Sequence, residues 1–308
     1  MFVSRGKLSI VAAALGLAVT AGAPAPVAPA AGESGPRAAA VAAAAPASGL
    51  PGGGRTVFGH RRFLTAYYGT AGTGILGALG ETDPDAAFRR IVRAGRPFQR
   101  PGEQVLPVFE LIVTVADGIP GTDGDFSHDI ARSLVQPYID AAHRHGALLL
   151  LDLQPGRTDF LTVAKRWQWA LEDPYVGLAL DPEWRMGPDE APGQATGRVR
   201  AAEVNRVSAW LARLAATNKL PQKLFVLHQF RESMIPDAGK VRRRDGLAMV
   251  QHVDGFGTPA QKLATYAAVA RPEQFTMGFK LFYDEDRPRM SAGAVRRIRP
   301  AVRFVSFQ

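Results

Sequence analysis

Two patterns of apolar and polar residues alternate along residues 57–308, short apolar runs typical of strands and longer amphipathic runs typical of helices. Apolar runs without regular polar positions predict strands that are covered on both faces, as in a parallel sheet. The eight predicted strands cover residues 63–68, 105–115, 147–153, 175–181, 223–229, 247–253, 275–282 and 302–307.

Six amphipathic runs lie between these strands and predict the crossover helices. Asp83 before Pro84 and Thr258 before Pro259 are helix-start signals, because each places a capping side chain just ahead of a proline. Gly146 follows a basic stretch and predicts a helix end. The predicted helices cover residues 84–94, 130–145, 160–172, 201–218, 259–270 and 292–299.

Eight strands joined by crossovers in about 250 residues indicate an α/β fold, a single-domain (β/α)8 TIM barrel. An open doubly wound sheet is the main alternative. That fold seldom needs eight parallel strands at this length, and the chain has no Gly-x-Gly-x-x-Gly turn. The barrel is therefore the predicted fold.

Residues 1–56 do not show this alternation. Arg5 and Lys7 precede an apolar run over residues 8–19, followed by small residues, which predicts a signal peptide over 1–30. The run is too short for a membrane span. Residues 31–56 are rich in Ala, Pro and Gly and predict a disordered linker before the barrel at 57–308. We therefore expect a secreted or cell-wall associated protein with no membrane span in the mature chain.

The chain has no cysteine, so it carries neither a lipid-attachment cysteine nor a disulfide. Its formal net charge is +9, which would draw an exported protein toward anionic wall polymers or acidic glycans. The basic clusters at 242–244 and 296–297 are short and lack interleaved aromatic residues, so nucleic acid is not an expected partner. The expected partner is a polysaccharide or cell-wall glycan substrate, bound by a monomer.

Two carboxylates follow the fourth predicted strand, Asp181 and Glu183. Residues two apart on a strand point the same way, with Cα atoms about 6.5 Å apart. Two acids held this close in a partly dry cleft acquire different pKa values, so that one donates a proton while the other stays ionised. Such a pair is typical of enzymes that cleave glycosidic bonds. The alternative is an Asp-Pro turn followed by a solvated glutamate.

In a barrel, chemistry gathers at the carboxyl ends of the strands, and these ends are rich in polar residues here. Glu183 and Asp181 are the predicted catalytic residues, with Asp152, Asp254 and Glu110 as secondary acids. The predicted substrate-binding residues are Tyr67, Tyr68, Gln154, Trp184, Arg185, His228, Gln229, His252, Lys280 and Asp284.

The Asp-x-Glu after the fourth strand, with Asp254 near the end of the sixth, is similar to the site of (β/α)8 glycosidases. The Chalaropsis-type lysozymes are the most similar, and the chitinase-like barrels more loosely. The resemblance implies that Glu183 is the general acid, Asp181 its partner and Asp254 an orienting or stabilising group. From Tyr67-Tyr-Gly through Leu-Asp-Leu-Gln-Pro-Gly-Arg to Gln-His-Val-Asp-Gly-Phe-Gly, the chain also resembles a family of exported actinobacterial barrel proteins.

The predicted function is therefore an exported glycoside hydrolase that uses no cofactor and no metal. One alternative is a barrel that binds wall glycan without cutting it, which would keep the aromatic residues and lose an acid. Another is a metal-dependent hydrolase, with His228, His252 and Asp254 sharing an ion. The first strand lacks the His-x-His that such enzymes use, and both acids of the pair are present.

Overall fold

The computed structural model describes residues 49–308, and nine strands lie within that range. They are β1 (Arg62–Gly69), β2 (Gln104–Ala116), β3 (Ser127–Asp129), β4 (Leu148–Leu153), β5 (Val176–Leu180), β6 (Lys223–Gln229), β7 (Leu247–Val253), β8 (Thr276–Leu281) and β9 (Val302–Phe307). Short β3 pairs antiparallel with the end of β2. The other strands pair in parallel and close into a ring, because β1 pairs with both β2 and β9. The predicted (β/α)8 barrel is confirmed.

The helices lie between the strands as crossovers. Those in the described range are α1 (Pro84–Gly95), α2 (Arg132–His145), α3 (Phe160–Arg166), α4 (Gln168–Leu171), α5 (Ala201–Thr217), α6 (Pro259–Val269) and α7 (Ala292–Val295). The predicted start signals are confirmed, since Asp83 accepts the N–H of Ala86 and Thr258 forms a capping box with Gln261. Among residues 49–308, no helix combines the length and the apolar character that a membrane crossing requires.

Two predicted helices differ from the structure. The run at 160–172 is divided into α3 and α4 at Trp167, whose backbone leaves the helical region and whose indole N–H donates to the Thr114 hydroxyl at 3.0 Å. The run at 292–299 ends as an α-helix at Val295, followed by a turn before the last strand. In the first case a tertiary contact with the barrel outweighs the local helical pattern.

Alternation along each strand sends every second side chain into the barrel. On β4, Leu148, Leu150 and Asp152 point inward, while the leucines between them pack outward against the helices. The half of the interior nearer the amino ends of the strands is apolar. Its residues are Leu64, Ala66, Leu106, Val108, Leu148, Leu150, Ala179, Leu224, Val226, Ala248, Val250 and Phe304.

Arg62 lies at the amino end of β1 and is almost fully buried. Its guanidinium donates to the carbonyl oxygens of Pro51 and Gly53 at 2.8 and 2.6 Å, and Leu50 and Val57 join the apolar interior cluster. Residues 49–56, the described end of the predicted linker, therefore lie against the amino ends of the strands. The predicted signal peptide and the rest of that linker lie outside the described residues.

Candidate active site

A layer of polar side chains lies above the apolar interior, at the carboxyl ends of the strands. Because the carboxyl ends of parallel strands meet at one face of a barrel, acids predicted from separate strands lie close together here. All members are buried, none more than 7% exposed. This polar layer consists of Glu110, Asp152, Asp181, His228, His252, Asp254, Lys280 and Ser306.

His228 is in contact with three carboxylates of the polar layer. Its Nε2 lies 3.1 Å from Oε1 of Glu110 and 3.2 Å from Oδ2 of Asp152, and its Nδ1 lies 3.0 Å from Oδ2 of Asp254. Burial and the charge of Lys280 would lower the pKa of His228, but these contacts outweigh both and raise it well above its usual range. The imidazole of His228 therefore carries a proton on each nitrogen.

The three carboxyl groups around His228 respond to it differently. Burial would raise the pKa of Glu110 and of Asp254, but contact with His228 outweighs burial and lowers each to about 2. For Asp152, burial prevails over the contact with His228, and its pKa is raised. The same buried site thus holds two strongly ionised carboxylates and one that keeps its proton more tightly.

Lys280 connects the polar layer to the mouth of the barrel. Its Nζ lies 3.7 Å from Oδ2 of Asp254 and 3.6 Å from the centre of the Tyr68 ring, and it donates to Oε1 of Gln308 at 3.3 Å. The Tyr68 hydroxyl accepts from Nε2 of Gln154 at 3.1 Å. Burial, then the charge of Asp152, raises the pKa of Tyr68 well above its usual range, so this phenol stays protonated.

His252 lies beside His228 but does not share its partners. The rings are 5.3 Å apart between centroids, and Nε2 of His252 is 2.9 Å from the Ser306 hydroxyl. Burial lowers the pKa of His252 to about 3, so its ring is neutral. The trio considered from the sequence, His228, His252 and Asp254, therefore does not converge on one ion, because Asp254 bonds to Nδ1 of His228 instead.

Asp181 and Glu183 are held by a turn and not by one face of a strand. Strand β5 ends at Leu180, and Oδ1 of Asp181 accepts the N–H of Glu183 at 3.1 Å as the cap of the 3-10 turn Pro182–Trp184. The structure differs from the predicted strand geometry because Pro182 has no amide hydrogen with which to continue the ladder. Asp181 itself points inward and is only 2% exposed.

Burial is the main reason that both acids of this turn hold their protons more tightly than usual. Burial raises the pKa of Asp181 well above its usual range, and the charges of Asp152 and Glu183 add to this effect. Glu183 is half-buried at the mouth. Burial, then the charge of Asp254, raises its pKa to about 7. The Glu183 carboxylate makes no hydrogen bond and no ion pair with residues 49–308, so it is free to act on a ligand.

Gly197 holds this turn in place from the segment before α5. Its N–H donates to the carbonyl oxygen of Glu183 at 2.6 Å. A Cβ at this position would lie 2.6 Å from the carbonyl oxygens of both Pro182 and Glu183, closer than real Cβ atoms approach. The turn therefore requires glycine at 197.

Gly197→Ala is expected to lower the free energy of unfolding by about 1–3 kcal/mol, because the added methyl group must push the Glu183 turn away. Urea denaturation measures this. Gly118→Ala is the matched control, since a Cβ there meets nothing within 4 Å. Equal midpoints for the two variants would contradict the described contact.

Exposed apolar side chains lie in the loops on this face of the barrel. They follow β1, β2, β7 and β8, respectively, and are Ile75 (75% exposed), Ile119 (69%), Phe256 (59%) and Tyr283 (37%). We call these four residues the apolar rim. Exposed apolar residues on the face that carries a polar centre are typical of a ligand-binding mouth.

Two predicted substrate-binding residues point away from the barrel interior. The hydroxyl of Tyr67 is 2.9 Å from that of Tyr283 on the outer side. Gln229 accepts from Nε2 of Gln251 at 2.7 Å and donates to the Arg231 carbonyl. Tyr67 precedes inward-facing Tyr68 and Gln229 follows inward-facing His228, so both side chains face outward. The structure places both outside the polar layer.

Three further predicted residues also lie outside the polar layer. Nε of Arg185 pairs with Glu203 of α5 at 3.1 Å, and the same guanidinium donates to the Arg157 and Met186 carbonyls. Trp184 is half-buried at the end of the 3-10 turn, and Asp284 is exposed. Arg185 thus joins segments of the chain through its Nε and Nη1 donors.

The sequence reasoning did not identify a buried ion pair beside the polar layer, Lys262 with Asp286. Nζ of Lys262 is 3.0 Å from Oδ2 of Asp286, and Asp286 accepts the N–H groups of Gly257 and Phe282. Neither residue follows a strand directly, which explains the omission. Ser306 was also missed, although it lies two residues after inward Phe304 and strand alternation would have indicated it.

Among the described residues, the side chains that could hold a metal ion together are Glu110, Asp152 and His228. One ligand atom from each lies within 4.8 Å of the other two. All three side chains are fully buried.

Comparison of the chain with protein-family models gives no match, and a comparison with curated proteins gives none either.

Proposed function

We propose that this protein is an exported glycoside hydrolase that cleaves a cell-wall or environmental polysaccharide by carboxylate acid/base catalysis. The observation that carries the proposal is Glu183, a half-buried and unpaired carboxyl at the barrel mouth with a pKa of about 7. A general acid is most effective when its pKa lies near the working pH, because it is then protonated and still able to give up its proton.

In this mechanism Glu183 donates its proton to the glycosidic oxygen as the bond to the sugar carbon breaks. Positive charge develops on the sugar ring, and a nearby carboxylate stabilises it. A water molecule then bonds to the sugar carbon and gives a proton back to Glu183, which restores the acid. Asp254 suits that role, because its ion pairs with His228 at 3.0 Å and Lys280 at 3.7 Å keep it ionised. Asp181, which the resemblance names as partner, instead orients the turn that carries Glu183.

The surroundings of Glu183 favour a sugar ligand. Lys280 and Gln154 are donors next to the mouth, and they suit the hydroxyl groups of a sugar. Phe256 of the apolar rim presents aromatic surface on the same face, which suits the C–H face of a pyranose ring. The predicted export signal and the basic charge support a substrate outside the cell, in the wall or the environment.

Activity is expected to fall as the pH rises through about 7, because only protonated Glu183 can donate. Among the groups that face it, Asp254 raises this pKa, whereas Lys280, His228 and Arg231 lower it. A profile of kcat/KM against pH measures the effect. Undiminished activity well above neutral pH would assign the proton to another group.

The substrate is tested by incubating the protein with purified peptidoglycan, arabinogalactan, chitin and galactosaminoglycan. New reducing ends and oligosaccharide masses are recorded, with Glu183→Gln as the matched inactive variant. Products from the native protein alone support the proposal and name the substrate. No products from any glycan, with binding retained by both proteins, would overturn catalysis in favour of a glycan-binding barrel.

A further inference from the structure

Four polar atoms beneath Glu183 are buried and have no hydrogen-bond partner among the described residues. They are both carboxylate oxygens of Glu110, Oδ2 of Asp152 and Nε2 of His228. Nε2 of His228 makes ion-pair contacts with both carboxylates, but none of the four atoms makes a hydrogen bond. Buried polar atoms are nearly always hydrogen-bonded in native proteins. Four that converge on one place therefore point to a ligand with several coordination positions.

The spacing of these atoms fits a metal ion. Two donors that are each about 2.1 Å from one ion lie about 3.0 Å apart in octahedral geometry and about 3.4 Å apart in tetrahedral geometry. Nε2 of His228 is 3.1 Å from Glu110 and 3.2 Å from Asp152, within that interval. The three ligand atoms also lie within 4.8 Å of one another, as a shared ion requires.

The opposite side of the imidazole supports the same conclusion. Nδ1 of His228 contacts Oδ2 of Asp254 at 3.0 Å. A histidine that binds a metal usually donates its second N–H to a carboxylate, which fixes the tautomer and the ring orientation. Asp254 is placed to hold His228 in this way, with Nε2 directed at the two other carboxylates.

The donor set and the local charge indicate which class of ion would bind. Two carboxylates with one imidazole suit Mn²⁺ or Zn²⁺ better than Ca²⁺ or Mg²⁺, which prefer oxygen ligands alone. The buried carboxyl groups of the polar layer, among them Asp181, also outnumber the cationic side chains Lys280 and His228. A divalent ion would favour the ionised form of these crowded carboxyl groups.

We propose that Glu110, Asp152 and His228 bind one divalent ion of the Mn²⁺ or Zn²⁺ kind, with Asp254 positioning the imidazole. The ion and a proton compete for Nε2 of His228, because an imidazole nitrogen that binds a metal carries no hydrogen. Binding therefore releases a proton. This site departs from the sequence expectation of no metal. It goes beyond the proposed glycosidase activity, because Glu183 is not one of the ligands.

The test uses the full chain, freed of metal by chelation and titrated with Mn²⁺ and with Zn²⁺ in a calorimeter. One ion per chain is expected, together with a rise in the thermal midpoint. Glu110→Gln and His228→Gln should each weaken binding at least about 100-fold, and Asp254→Asn about 10–100-fold. Glu183→Gln should bind as the native protein does, which separates this test from the test of catalysis.

His143→Gln is the matched control, since His143 forms a surface pair with Asp173 at 2.7 Å and should not affect the buried site. Pulsed EPR of bound Mn²⁺ should show coupling to one imidazole nitrogen in the native protein and in this control. This spectrum tests whether an imidazole binds the ion, even if His228→Gln does not fold. No stoichiometric ion, or binding that is lost in His143→Gln and kept in His228→Gln, would overturn the proposal.

Discussion

Glu183→Gln is expected to lower kcat on the glycan substrate by about 10²–10⁴-fold with little change in KM, because a positioned acid contributes about that factor. Glutamine keeps the shape of the side chain and has no acidic proton. The native carboxylate makes no hydrogen bond or ion pair with residues 49–308, so the free energy of unfolding should not fall by more than about 0.5 kcal/mol. Oligosaccharide release and urea denaturation measure the two quantities.

Glu232→Gln is the matched control for this experiment. Glu232 follows β6 on the same face of the barrel, is exposed, and lies 3.7 Å from Arg271. This variant should keep the native kcat, and the residual activity of Glu183→Gln should lose the decline near pH 7. Equal losses in the two variants would remove Glu183 from the role of general acid.

Lys262→Met is expected to lower the free energy of unfolding by about 3–5 kcal/mol, the cost of leaving one charge of a buried pair without its partner. The Lys262 ammonium contacts Asp286 at 3.0 Å and donates to the carbonyl oxygens of Gly255 and Lys280 at 2.7 and 3.0 Å. Methionine fills similar volume, but it leaves the Asp286 carboxylate without its counter-ion and removes the ammonium donor from both carbonyl oxygens. Urea denaturation measures the loss.

Lys165→Met makes the same substitution at an exposed position of α3 and should change stability by no more than about 0.5 kcal/mol. Adding Asp286→Asn to Lys262→Met should recover part of the loss, because the second change removes the uncompensated charge. A loss below about 1 kcal/mol for Lys262→Met, with no recovery in the double variant, would mean that this pair is not ionised in the native protein.

The barrel could be predicted because its strands are covered on both faces and therefore appear as continuous apolar runs. The run at 302–307 coincides with β9, and the run at 147–153 exceeds β4 by one residue. Helix ends followed from capping residues such as Thr258, which act locally. The division at Trp167 was not predictable, because it depends on a contact with Thr114 on a strand far away in the sequence.

The polar layer could be predicted only in part. Asp152 and Asp254 stand at strand ends, where position alone selects them, whereas Glu110 lies in the middle of β2 and is marked only as an acid within an apolar run. Strand alternation would have excluded Gln229, which follows inward-facing His228 directly. The contacts that assign roles to these residues could not be predicted. His228 contacts acids on both sides only because the strands close into a ring, and no local sequence pattern encodes that closure.

The polar layer stands on the strands or within one residue of their ends, whereas the apolar rim belongs entirely to loops. Strand positions are fixed by the pairing of the whole ring, but loops can lengthen or change sequence at little cost to stability. Relatives of this chain could therefore diverge in the ligand they select while inheriting the same charged interior. Diversity among such proteins should be concentrated in the segments that carry Ile75, Ile119, Phe256 and Tyr283.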